Sequence, residues 1–397
     1  MRRKIAVVTP YGAEARFDNY AEFILAYTLR EKGWDARMYT YAVHKDSAHR
    51  GDLTYMGVPV RRCRQRYGLS PRLFFSILFF RPETVICFHP KNFLNFTAYL
   101  AARLTGARFI VEIVGILHDP YIVNDTDNPQ DNLKSSIHLV TNVPQLLRDI
   151  VARRFSGLWT NYVRHMPAAH ADEVIAISDD EKKYIRQLYG RDSTRVYWSA
   201  ARFVDHKEEK PKADIPERFH FFMGQIKLRK GWDVAIDAIA ELKKKGITDH
   251  LVFVSPQTDL TEPTEYARER GVLSQIMFLV RISNEEKNWL YTHCTYVLIP
   301  SRYEGFGLIA FEAYLAKKPI VASTLTVFLE FMEHEKNAML FETGNGLEMA
   351  RAMQELDADP KLREQLIEGG LATAEKFSYE RMVNEHIAVI EGKAEGT

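Results

Sequence analysis

Short runs of β-branched and aromatic residues alternate with amphipathic stretches along nearly the whole chain, and this alternation most narrows the folds open to it. A strand covered on both faces reads as a continuous apolar run, and the helix that covers it as a stripe at 3.6-residue spacing. The pattern therefore specifies helices packed around parallel sheets. In the first half the runs predict strands over 4–9, 36–41, 85–88, 109–114 and 173–177, with another near 194–198. A helix over 20–32 follows the first strand, with Phe23, Ile24, Tyr27 and Leu29 largely on one side. The second half repeats the logic, with strands over 219–223, 251–254, 276–279, 296–299 and 320–322 and helices over 232–244, 284–293 and 308–315. Each half holds enough elements for its own doubly wound α/β domain.

At 397 residues the chain exceeds what one core usually organises, which agrees with two domains. The stretch 206–217, HKEEKPKADIPE, is charged, carries two prolines and shows no apolar periodicity, so it is the linker candidate. The expected domains are 1–205 and 206–375, with a C-terminal helical segment over 376–397 that packs back on the first. Residues 121–139 are polar and long for a connection, a functional loop or an insertion.

A chain 46% hydrophobic and 26% charged is not a disordered one. Its three cysteines, Cys63, Cys87 and Cys294, form neither a disulfide framework nor a CxxC pattern, which fits a reducing compartment, and the cytoplasm is expected. The first twelve residues, MRRKIAVVTPYG, lack the apolar core and cleavage site of a signal peptide. The most apolar window, residues 73–80, falls well short of the ~20 residues of a membrane-spanning helix.

The formal net charge of +1 argues against a nucleic-acid partner, but it hides a division. Residues 1–200 hold 28 Lys+Arg against 20 Asp+Glu, leaving 25 against 32 for the remainder. The first half is basic, and Arg61 to Arg81 joins four arginines in six positions to the aromatic run containing Phe74, Phe75, Phe79 and Phe80. Such a segment either lies on an anionic membrane surface, from a peripheral position on the inner face, or forms an exposed edge followed by a buried helix.

The sharpest chemical signal is IPSRYEGFGLIAFE, residues 299–312: a strand end, a polar turn, two glycines, then a helix. Backbone N–H groups of Gly305, Phe306 and Gly307 at that helix start favour a diphosphate, and glycine lets a ligand approach the main chain. Glu304 and Glu312 stand too far apart for a carboxylate dyad, and suit two hydroxyl-accepting positions at two ends of one ligand.

Residues 299–323 closely resemble the donor-site segment of the retaining glycosyltransferases of family four, the glycosyl transferases group 1, which have the GT-B fold of two Rossmann-like doubly wound domains facing a central cleft. Pro300-Ser301 before the pair, Glu312-Ala313, and Lys318-Pro319-Ile320-Val321 fall at matching distances. The resemblance implies an acceptor domain first, a nucleotide-sugar donor domain second, and metal-independent, cofactor-free transfer of a hexose-type sugar from a UDP- or GDP-linked donor to a glycan or lipid-linked acceptor hydroxyl. It places Glu304 near the transferred sugar, Glu312 on the ribose, and the glycine turn on the diphosphate.

Further segments are similar to the same family. Gly12 matches its opening glycine loop, here Gly12-Ala13 where two glycines are common. His118, after the strand over 109–114, matches a histidine that contacts the transferred sugar, with His89 in CFHPKN as the alternative histidine. FMGQIKLRKG, residues 222–231, matches a glycine-basic-x4-lysine-glycine segment, so Gly224 and Lys230 are implied at the donor diphosphate. Gln225 takes the usual arginine's place, with Lys227 or Arg229 as substitutes for its charge, and Arg281 belongs to the loop 280–283 that reads the base. The Gln225 departure keeps a catalytically weak nucleotide-sugar or glycan binder open beside transfer, with a GT-B sugar-nucleotide epimerase as a further alternative. Asp125-Thr126-Asp127 spells a metal-binding DxD but sits in the polar insertion, and Ser178 with Asp179-Asp180-Glu181 reads as helix capping.

Overall fold

The computed structural model describes residues 2–11, 20–41, 51–66, 68–89, 92–114, 143–151, 155–199 and 207–393. Gly12, His118 and the Asp125–Asp127 triplet lie outside the described residues, as does the whole polar stretch 121–139. The chain divides into two compact units, Met1–Phe203 joined by Tyr379–Thr397, and Val204–Ser378.

The first unit runs β1 (Lys4–Val8), α1 (Ala21–Glu31), β2 (Asp35–Tyr41), β3 (Leu53–Tyr55), β4 (Val58–Cys63), α2 (Pro71–Phe80), β5 (Thr84–Phe88), α3 (Leu94–Thr105) and β6 (Arg108–Ile113). It continues through α4 (Val143–Val151), α5 (Phe155–Ala169), β7 (Glu173–Ala176), α6 (Asp179–Tyr189) and β8 (Thr194–Arg195). These strands form one eight-stranded sheet in the order β3-β4-β2-β1-β5-β6-β7-β8. The named pairings are parallel except β3 with β4. Apolar runs predicted as buried strands fill the centre: Ala6, Val8, Val85, Cys87, Phe109, Val111 and Val174 pack with Leu73 and Ile77 of α2 and Leu94 and Ala98 of α3.

The β3–β4 hairpin was not anticipated from the pattern, because Pro59 and two arginines interrupt its apolar alternation. Its turn is readable in backbone terms: Met56 and Gly57 both take positive φ, 47° and 79°, as a two-residue hairpin turn that matches strand twist requires. Of the arginines in this segment, Arg62 is buried, Arg61 donates to Ser76 Oγ at 3.0 Å, and Arg72 pairs with Asp52 at 2.6 Å. The following helix is half-buried rather than buried: Leu73, Ile77 and Phe80 face the core, while Phe75 and Phe79 stack on each other and are 51% and 80% exposed.

The second unit runs β9 (Phe219–Met223), α7 (Trp232–Lys244), β10 (His250–Ser255), α8 (Thr261–Glu269), β11 (Ile276–Val280), α9 (Asn284–His293), β12 (Val297–Ile299), α10 (Leu308–Leu315), β13 (Ile320–Ser323), β14 (Met339–Phe341), α11 (Gly346–Ala358) and α12 (Pro360–Lys376). Its six strands follow the order β11-β10-β9-β12-β13-β14, all parallel. Residues 207–217, read as a linker, are fastened to α9: Asn288 Nδ2 donates to the Lys207 carbonyl at 3.1 Å, Glu209 N to the Glu285 carbonyl at 3.2 Å, and Lys210 lies over the Trp289 ring.

The last helix, α13 (Tyr379–Glu391), belongs to the first unit. His386 inserts its ring into the core beside Phe88, where Nε2 meets Glu112 Oε2 at 2.6 Å and Nδ1 donates to the Met382 carbonyl at 2.8 Å. The other Glu112 oxygen accepts from the Trp198 indole, and both His386 and Glu112 are fully buried. Glu385 accepts from Tyr197 N at 2.7 Å.

Candidate active site

In an open parallel sheet, ligands bind past the carboxyl ends of the strands where the chain reverses the direction in which it adds them. In the second unit that point lies between β9 and β12, since β10 and β11 extend one side and β13 and β14 the other. Two loops leave the sheet there: residues 224–231 after β9 and 300–307 after β12. They carry most of the residues predicted to handle the donor.

The loops are tied together at several places. Lys230, the last residue of a 3-10 turn (Leu228–Lys230), reaches Glu304 Oε1 at 2.5 Å, and Ser301 Oγ donates to the same oxygen at 2.8 Å. Arg302 forms a fork on Asp233, both contacts 2.6 Å, while also donating to the Leu228 carbonyl at 2.9 Å. Gly231, at φ 67°, lies so close to the second loop that a Cβ would stand 1.8 Å from the Pro300 carbonyl oxygen. Arg302 and Gly231 thus set the position of the Lys230–Glu304 pair.

Gly307 caps α10 at φ 98°, and a Cβ there would meet Phe328 Cε1 at 2.5 Å, so only glycine fits this turn. Among the described residues no group accepts a hydrogen bond from the amides of Gly305, Phe306 or Gly307. The Phe306 ring is committed to the core, stacked on Phe311 at 5.4 Å, so this residue offers its main chain alone. Gly224 is packed against Phe222, 3.0 Å from an added Cβ. Gln225 is exposed and its Oε1 accepts from Arg229 at 3.3 Å, which brings a guanidinium beside the position where the family has its own.

Glu312 stands apart from Glu304, in the second turn of α10, with partners from α9: Lys287 Nζ at 2.8 Å and the Tyr291 hydroxyl at 2.8 Å. Burial, and next the Glu312 carboxylate, push the Tyr291 phenol well above its ordinary range, so it serves as a donor. The two carboxylates therefore form two polar stations flanking the glycine turn. Arg281 lies at the end of β11, exposed and at φ 52°, two strands away from β9. Lys287, Tyr291, Arg302 and Asp233 were missed in the sequence. Lys287 and Tyr291 carried a usable signal, a four-residue spacing that sets them on one helix face.

In the first unit the reversal falls between β1 and β5. Thr9 follows β1, His89 follows β5, and Glu22 from the first turn of α1 joins them: Glu22 Oε1 lies 2.7 Å from His89 Nε2 and 3.4 Å from Thr9 Oγ1. Tyr11 packs edge-on against His89, and burial followed by the Glu22 carboxylate pushes its phenol up to about 12. Among the described residues no group of three or more His, Cys, Asp or Glu is placed to hold a metal ion.

Two doubly wound sheets, parallel but for the β3–β4 hairpin, are the architecture of the GT-B class of transferases. Residues 24–197 match the glycosyl transferase 4-like domain and residues 204–372 the glycosyl transferases group 1 model. The chain is 30% identical over 300 residues to an uncharacterized glycosyltransferase of Methanocaldococcus jannaschii, a match covering 74% of this chain and 80% of that protein. A D-inositol 3-phosphate glycosyltransferase of Salinispora tropica is 28% identical over 245 residues, covering 56% of this chain and 51% of the relative, so the match spans about half of that protein. Among solved structures, sucrose-phosphate synthase from Thermosynechococcus elongatus superposes with a TM-score of 0.71 at 15% identity, covering 98% of this chain and 99% of the other. Anabaena HepE in complex with UDP-glucose gives 0.71 at 17% identity, covering 98% and 99%. The chain belongs to the group 1 glycosyltransferases and is an enzyme of that class.

Proposed function

We propose that the enzyme transfers a hexose-type sugar from a UDP- or GDP-linked donor to a hydroxyl of a glycan or lipid-linked acceptor, with retention of anomeric configuration and without a metal ion. The observation that carries this reading is the Lys230–Glu304 pair beside the α10 N-terminus at the sheet's reversal point. A donor presents two kinds of group to such a pair. Its diphosphate takes the Lys230 ammonium and the amides of 305–307, and a sugar hydroxyl donates to Glu304, so the exchange leaves both charges partnered. Glu312, held by Lys287 and Tyr291, accepts from the ribose. Arg229 supplies the cationic charge that Gln225 lacks.

As the glycosidic bond breaks, negative charge grows on the leaving diphosphate, where Lys230 stabilises it; a phosphate oxygen then takes the acceptor's proton. His118 and Gly12 keep the roles implied by family resemblance, on the sugar and at the loop that approaches the donor phosphates or the acceptor. UDP in HepE and other neighbours supports the nucleotide assignment. A cytoplasmic enzyme at the inner membrane face is the setting we propose, with Phe75 and Phe79 as the apolar contact. Among the described residues no helix is long and apolar enough to cross a membrane.

Calorimetry with UDP and GDP followed by donor turnover in EDTA tests the reading. Turnover that persists in EDTA and yields product of the donor's anomeric configuration is expected; donor binding that survives both Glu312→Ala and Lys230→Ala overturns the site. Binding without turnover over a broad acceptor set identifies a nucleotide-sugar-binding protein instead. Flotation with anionic and neutral vesicles tests the membrane contact, and equal recovery in the soluble fraction rules it out.

A further inference from the structure

The Lys230–Glu304 pair is closed on itself. The two side chains are 21% and 9% exposed, and among the described residues Glu304 Oε1 is the one acceptor that the Lys230 ammonium reaches. The only other donor offered to that carboxylate, again among the described residues, is the Ser301 hydroxyl at 2.8 Å, on the same oxygen. Ser301 is itself buried, and its carbonyl accepts from Ser323 Oγ, which fixes the place from which the hydroxyl donates. Arg302, the neighbouring cation on the loop, is occupied by both oxygens of Asp233 and by the Leu228 carbonyl, and does not reach Glu304.

This arrangement sets a condition on any anion that binds beside it. Glu304 directly precedes Gly305, so an anion on the amides of 305–307 comes close to the Glu304 carboxylate. To gain Lys230, that anion must draw the ammonium away from Glu304, which is then left with the neutral Ser301 hydroxyl alone. A largely buried carboxylate stripped of its cation is costly, and more so next to a second negative charge. A sugar carried by the anion changes the balance, because one of its hydroxyls donates where the ammonium stood.

We infer that Glu304 competes with a bare nucleoside diphosphate for Lys230, so that the site holds a sugar-free nucleotide less tightly than its phosphates alone would allow and favours the sugar-bearing form. The inference rests on the transfer reading, in which the bare diphosphate is the product, and adds to it a device for letting that product go. Ser301 is a positioning residue in this scheme: it keeps the carboxylate partnered while Lys230 is turned to the phosphates.

The test is calorimetry on the full-length protein with UDP, GDP, UMP and GMP, and with UDP-glucose, UDP-galactose and GDP-mannose as the sugar-bearing probes. Glu304→Gln keeps the shape of the side chain and removes its charge. The diphosphate that binds the wild type should bind this variant about fivefold or more tightly, while its monophosphate and its hexose-linked forms gain less than about twofold. Ser301→Ala should weaken the diphosphate about threefold when Glu304 is present and have no effect beside Glu304→Gln. Diphosphate affinity unchanged or lowered in folded Glu304→Gln overturns the inference. So does an equal gain for the monophosphate or a hexose-linked form, or a Ser301→Ala effect that persists without the carboxylate. Should Glu304→Gln not fold, Glu304→Ala removes the same charge and the same outcomes decide. If neither UDP nor GDP binds wild type or variant, the donor reading falls and this inference with it; if one binds the wild type with no gain in Glu304→Gln, this inference alone falls.

Discussion

Lys230 meets Glu304 because Arg302 and Gly231 hold two loops in register, and each of the three residues predicts a separable effect. Lys230→Ala removes the cation at the leaving diphosphate and is expected to lower turnover by about 10²–10³ while the thermal midpoint stays near that of the wild type. Arg302→Lys keeps the charge but loses the two-pronged contact with Asp233, so steady-state kinetics should show kcat down about tenfold or more with only a modest change in stability. Gly231→Ala forces a Cβ onto the Pro300 carbonyl and should cost about 2 kcal/mol or more in urea unfolding. At this scale the sequence was legible where chemistry is local in the chain: Glu304 and Gly305–Gly307 are adjacent, and Lys230 lies one residue from a glycine. Arg302 was not, since its partner Asp233 is 69 positions away and an isolated arginine looks like any solvated one. The contact of His89 with Glu22 was hidden for the same reason, because the two are 67 positions apart.

Strands and helices were the most readable level, and the failures have causes. β1, β5, β6 and β9 are covered on both faces and read as unbroken apolar runs, whereas β3 is the edge strand and the neighbouring β4 carries its proline, Pro59, just before the residues that pair with β2. The apolar spacing of α13 pointed to a packed C-terminal helix, but not to the ion pair buried beneath it. Burial alone would lower the His386 pKa; the Glu112 carboxylate, with further help from the Met382 carbonyl, outweighs it and raises the value above the ordinary one. A histidine whose folded pKa is raised contributes stability in full below its unfolded value, near 6.5, and loses it as pH rises through the folded value. Glu112→Gln should therefore destabilise the first unit by about 3–5 kcal/mol in mildly acidic buffer, and the gap to wild type should narrow as pH rises through the raised His386 value. Unfolding curves of both proteins across that range check it, and a gap that widens with pH contradicts the assignment.

For the whole molecule, the two units divide the labour of recognition differently from the division of charge. The basic, aromatic segment of the first half was open to two readings, a surface facing anions or an exposed edge followed by a buried helix; Arg62 is buried and Arg61 and Arg72 are engaged within the unit, so much of that segment's charge is structural. The second half, acidic in sum, holds the lysine and the helix end proposed for a diphosphate. Net charge by halves was legible; its placement required the fold. Hydrogen exchange in the presence of UDP should protect amides in 224–231 and 300–310 and leave the His89 region unchanged, because ligand binding stabilises the unit that contacts it. Protection confined to the first unit would reverse the assignment of the two halves.

The position of α13 also sets the order in which the protein can finish itself. His386 is 274 residues from Glu112, and every residue of the second unit lies between them. A ribosome must deliver the whole continuous stretch 204–378 before the carboxyl inside the first sheet meets its partner. A chain ended at residue 378 would therefore carry every residue of the second unit and a first unit still lacking its last helix.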